Sequence, residues 1–100
     1  GATSNNNVTG SSTIIHMVEI DNTLNVAQDE YLKLYNNNSP TVGTTAPDMI
    51  LMCNQGSKET FVFPNGISFG TGLSFAMTQE AGTAGTSSPT QSVIVKIVCS

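Results

Sequence analysis

Residues 31–78 read YLKLYNNNSPTVGTTAPDMILMCNQGSKETFVFPNGISFGTGLSFAMT, short alternating runs of apolar and polar residues cut by turns rich in Gly, Pro and Asn. A period of two is the signature of strands with one buried face. In YLKLY it turns Leu32 and Leu34 inward and Tyr31, Lys33 and Tyr35 outward. Asn36 to Pro40 turns the chain, and the loop from Pro40 to Pro47 is held stiff by a proline at each end. Met49 to Cys53 and Lys58 to Phe63 flank Asn54-Gln55-Gly56-Ser57, a hairpin signal. Phe61 and Phe63 share a face. Pro64-Asn65-Gly66 is predicted to be the sharpest turn, because Asn-Gly tolerates positive φ. Ile67 to Phe69 and Leu73 to Gln79 follow as separate strands.

Working outward, Thr13 to Ile20 also alternates, which places Ile14, His16, Val18 and Ile20 on one face and Ile15, Met17 and Glu19 on the other. Leu24 to Glu30 is the one candidate helix, too short and too poorly patterned to stand alone. Ala81 to Ser92 reads as a polar, flexible loop without a side chain to anchor it. The last strand, Ser92 to Cys99, is apolar on both faces apart from Lys96, so it is predicted to be central in its sheet or covered by a neighbour. Together these elements predict an all-β chain: a single β-sandwich of about seven short strands, jelly-roll-like, over residues 13–100. Residues 1–12 hold no core-forming side chain beyond Val8. They are predicted to be an extended N-terminal arm lying on another subunit.

The 100 residues make one domain with a modest core, for which support from an oligomer is expected. Three lysines and no arginine stand against seven acidic residues. That is too little positive charge to neutralise a nucleic-acid backbone or an anionic bilayer, so neither is an expected partner. No apolar run has the length of a bilayer span, and no basic-then-apolar leader opens the chain. Cys53 and Cys99 sit in strand-like settings and read as small hydrophobes made in a reducing cytoplasm rather than as a disulfide.

Catalytic equipment is missing from the pattern. His16, the sole histidine, has no metal-ligand partner at His-x-His or Cys-x-x-Cys spacing. The serines lie in loops without a base nearby in sequence. Asp21, Asp29 and Glu30 match no calcium loop and read as an acidic rim. The glycines from Gly66 to Gly72 resemble a phosphate loop in density alone, since no helix follows them. No catalytic residue, cofactor or metal is predicted, and an enzyme is not expected. Tyr31 and Tyr35, two apart on an outward face, fit either a stacking platform for a sugar or a cover for a neighbouring chain, the second being favoured because the chain has no Trp.

VEIDN at residues 18–22, YLKLYN, PTVGTTAPD, FPNGISFGTGLSFAMT and the apolar final strand together resemble small β-sandwich virion proteins of tailed bacteriophages, with capsid decoration (cement) proteins nearest in size and architecture. The resemblance spans residues 18–99 and is most specific in PTVGTTAP and FPNGISFGTGLSFA. It implies a non-enzymatic protein that binds the outer surface of an assembled head shell and reinforces it. The implied partners are the major capsid protein and further copies of the chain, a trimer being favoured, and the implied location is the virion after synthesis in the host bacterial cytoplasm. The expected partner-binding residues are Asn5, Asn6, Asn7, Val8 and Thr9 of the arm, Tyr31 and Tyr35, and Thr41, Val42, Thr44 and Thr45 of the proline-bounded loop. A head-fibre or tail-associated module that binds a receptor or glycan is the alternative.

Overall fold

Six strands form in the computed structural model, which describes residues 11–100. They are β1 Thr13–Asp21, β2 Glu30–Asn36, β3 Met49–Cys53, β4 Lys58–Phe69, β5 Leu73–Thr78 and β6 Ile94–Cys99, and no helix occurs among the described residues. Residues 1–10 of the expected arm, Asn5 to Thr9 included, lie outside the described residues.

The strands make two three-stranded sheets, ordered β4-β1-β6 and β3-β2-β5, and every pairing is antiparallel. Each sheet therefore has one central strand, and these two strands supply most of the core. Ile15, Val18 and Ile20 of β1 cluster with Leu32 and Leu34 of β2, all without exposed surface. Cys53, Phe69 and Leu73 complete the buried cluster. Burying a side chain of this size stabilises by roughly 1.5–3 kcal/mol. The inward residues of the edge strands, including Phe61, Phe63, Phe75, Met77, Val95 and Ile97, pack against this cluster and are only partly buried. A sandwich with three strands per sheet is too narrow to cover its own flanks.

Three expectations from the sequence are corrected. The strict alternation along β1 fails, because its register against both β4 and β6 shifts between Ile15 and Met17. Ile15 and Val18, three residues apart, both point inward, so His16 and Met17 share the outward side. One extra residue in a strand reverses the facing of everything beyond it. The turn predicted at Pro64-Asn65-Gly66 lies instead inside β4, with Gly66 at φ 72. β1 partners step from Met17↔Val62 to Ile15↔Ile67 across it, so this stretch bulges out of the ladder. Two expected strands thereby become one, and the count is six rather than about seven. An edge strand tolerates the missing N–H of proline, and among the described residues β4 pairs on one side only. Finally, β6 is not central among the described residues, where it pairs with β1 alone, so of the two expected arrangements only cover by a neighbour is left.

Candidate functional site

Outward-facing does not mean exposed on the β3-β2-β5 sheet. Lys33 and Tyr35 alternate with Leu32 and Leu34 as expected, yet both are completely buried. The segment between β5 and β6 crosses over Lys33. Lys33 Nζ donates to the carbonyls of Gly82 (2.7 Å) and Gly85 (2.9 Å). Glu80 closes the same loop by accepting from the Ser87 N–H at 3.0 Å, and hydrogen bonding from the Ser87 side chain, together with this backbone bond, holds its carboxyl below the ordinary range. The loop expected to lack an anchor is anchored from beneath, through its backbone. Loss of water pushes the Lys33 ammonium and the Tyr35 phenol toward their neutral forms.

The proline-bounded loop rests on this cover. Gly43, at φ 95, approaches Thr86 and the Ala84 carbonyl so closely that a β-carbon there would collide with the Thr86 methyl. The loop is wound on itself: the amides of Thr44 and Thr45 donate to the Thr41 carbonyl, and the Thr41 N–H donates to Thr45 Oγ1 at 3.0 Å. Thr41 and Thr44 are exposed, whereas Val42 and Thr45 are half-buried. Tyr31 is half-buried and Tyr35 has no surface, so the two rings do not form a joint stacking platform.

One end of the sandwich is tied by two buried asparagines, Asn22 just past the end of β1 and Asn25 within the stretch read as a candidate helix. Asn22 Nδ2 reaches the carbonyls of Gln28 (3.0 Å), Cys53 (3.4 Å) and Asn54 (3.3 Å). Asn25 Nδ2 donates to Asn22 Oδ1 at 2.8 Å and to the Gln91 carbonyl at 3.2 Å, while Asn25 Oδ1 accepts from the Gln91 N–H at 2.9 Å. The β1–β2 loop, the β3–β4 hairpin and the approach to β6 are thereby joined.

Glu30 stands beside this tie. It pairs with Cys53 across the β2–β3 ladder and shares its inward side. The side chain is fully buried, and neither carboxylate oxygen has a hydrogen-bond partner. Burial, with the nearby charges of Glu80 and Asp29, pushes the Glu30 pKa up to about 7. Asp29 itself accepts from the Gln55 N–H at 2.8 Å. Among the described residues, no three His, Cys, Asp or Glu side chains gather as a metal site.

The outer face of the β4-β1-β6 sheet is different in kind, because none of the described loops covers it. Val62, Met17 and Val98 lie in one row across the three strands. Val62 and Val98 are 65% and 51% exposed, and Ile14 and Ile94 on the same face are 39% and 61% exposed. Beyond this row Glu19 stands between Lys58 (3.7 Å) and Lys96 (3.9 Å). His16 contacts Ser100 Oγ at 2.8 Å at the end of the same sheet. This face is the candidate site, and the bulge that brings Met17 into its row hid it from a strict reading of period two. Cys53 and Cys99 are free thiols. They sit at opposite ends of β1, beside Ile20 and Ile15 respectively, about 16 Å apart along the strand direction.

No known family profile, curated protein or solved structure matches the chain.

Proposed function

We propose that this chain is a non-enzymatic virion component of a tailed bacteriophage, a decoration or cement protein that binds the outer surface of the assembled head shell and stabilises it. The observation that carries this reading is the open face of the β4-β1-β6 sheet, with Val62, Met17 and Val98 in a row and Ile14 and Ile94 beside them. An exposed apolar patch rimmed by polar residues marks a contact surface in a soluble domain. The residues that resemble decoration proteins support the same class. The passage of the chain between sheets, from β1 to β2, β3 to β4, β4 to β5 and β5 to β6, supports a jelly-roll-like wiring. The partners in this reading are the major capsid protein and further copies of the chain, with Thr41 and Thr44 available at the opposite surface. The glycan-binding alternative loses its two-ring platform with the burial of Tyr35.

Copy number tests this assignment. Quantitative mass spectrometry of purified particles is expected to return hundreds of copies per head, released as a set when the shell is stripped. A few tens of copies that remain with isolated tails or fibres, or none on the particle, would refute it.

A further inference from the structure

The free edge of β6 is the second uncovered feature of the molecule. Among the described residues nothing pairs with it, although Ile94 and Val98 on its outer side are more than half exposed and Val95 and Ile97 on its inner side are only partly buried. Proteins usually protect such an edge with proline, a bulge, a very short strand or a covering loop. β4 carries Pro64 and its bulge, β3 has five residues, and β5 is largely buried. Among the described residues β6 has no proline, bulge or covering loop, and a single lysine is its only guard. That lysine, Lys96, is drawn to Glu19 of β1 on the outer sheet face.

The hydrogen bonding of β6 states which of its backbone groups point outward. Ser100 and Ile14 exchange both backbone bonds, at 3.0 and 2.9 Å. Successive residues of a strand aim their N–H and C=O groups in opposite directions. With Ser100 facing β1, Val98, Lys96 and Ile94 face it as well, and Val95, Ile97 and Cys99 present their groups to the open edge.

From this pattern we infer that two copies of the chain join by antiparallel pairing of their β6 edges about a twofold axis at Ile97, making one continuous six-stranded sheet. In that register Ile97 exchanges both backbone bonds with Ile97 of the second copy, and Val95 does so with Cys99 of the second copy. All three outward residues are then satisfied. Lys96 faces Val98 of the second copy. Moving the axis to Lys96 would set the two lysines directly opposite, an unfavourable cross-strand pair, and would leave Cys99 without its Val95 partner. Charge and hydrogen bonding thus select the same register. The pairing uses the sheet edge, not the face assigned to the shell, and it occurs in free solution, so it stands or falls separately from the proposed function. A symmetric edge pair closes on itself, which replaces the threefold arrangement expected from the sequence with a dimer.

Sedimentation velocity of the full chain is expected to give a species of twice the 10.5 kDa chain mass. Val95→Cys, oxidised, is expected to become a covalent dimer through Cys99 of the second copy, because a hydrogen-bonded cross-strand pair has Cα atoms about 5.5 Å apart, within disulfide reach. Lys96→Cys is expected to stay uncrosslinked on a non-reducing gel. Ile97→Pro removes an outward N–H and leaves the β1 ladder intact, so a folded monomer by circular dichroism is expected. A wild-type monomer at all accessible concentrations, a trimer, or cross-linking by Lys96→Cys in place of Val95→Cys would overturn the inference.

Discussion

Replacing Glu30 by Gln isolates the least comfortable group in the core. The glutamate is fully buried, its oxygens lack partners, and its pKa stands at about 7 against an ordinary value of 4.5. A raised carboxyl favours the folded state while protonated, so its contribution is complete below pH 4.5 and is lost as pH rises through about 7. At about 1.4 kcal/mol for each pH unit between the two values, the full effect is roughly 3 kcal/mol. Relaxation of the surrounding fold around a buried charge trims such an effect, so about 1–3 kcal/mol is the expected loss between pH 5 and 8. Asp21 and Glu80, whose pKa values are lowered, titrate below this window and with the opposite sign, gaining stability as pH rises. Urea unfolding of wild type and Glu30→Gln at a series of pH values measures the difference directly, since other groups cancel in it. The variant is expected to match the wild type near pH 5 and to exceed it by about 1–3 kcal/mol at pH 8. A variant less stable than wild type at pH 8, or a difference that does not change with pH, would refute the placement of this carboxyl.

Lys33→Met keeps the stem but strips the Gly82 and Gly85 carbonyls of their donor, so a loss of about 2–3 kcal/mol is expected in urea unfolding, with faster amide exchange over residues 79–91. Asn25→Ala removes the tie between the β1–β2 loop and the approach to β6 and leaves buried groups unpaired; about 2–3 kcal/mol is again expected, measured the same way. Gly66→Ala places a β-carbon at positive φ against the Ile14 methyl, and a calorimetric melting point lowered by the equivalent of about 1–2 kcal/mol is expected.

The facing of β2 and of the first half of β4 was legible because these stretches keep a period of two: Leu32 with Leu34, and Phe61 with Phe63, lie on one side as the alternation implies. The face of β1 was not legible, since no glycine or proline marks the extra residue near His16. Pro64-Asn65-Gly66 carries turn chemistry, yet an edge strand accommodates the same residues as a bulge. Lys33 and Tyr35 were placed on the correct side, but the cover over Lys33 is a loop held by its backbone carbonyls, and backbone has no sequence signature. Asn22 was visible as the end of a strand and Asn25 only as part of a weak helix candidate; their long-range bonds to residues 53, 54 and 91 are tertiary. The candidate face needed both the bulge and the sheet order, because Val62, Met17 and Val98 become neighbours only when β4, β1 and β6 are set side by side.

The most direct test of the account is co-sedimentation of purified head shells lacking this protein with the wild-type chain, with Val62→Glu and with Thr44→Glu. Val62 is 65% exposed on an edge strand, so the charge is tolerated by the fold. Saturable binding by wild type and Thr44→Glu, reduced at least tenfold by Val62→Glu, is the predicted result. Equal binding by all three proteins, or binding lost only in Thr44→Glu, would contradict the claim that the open β4-β1-β6 face is what meets the shell.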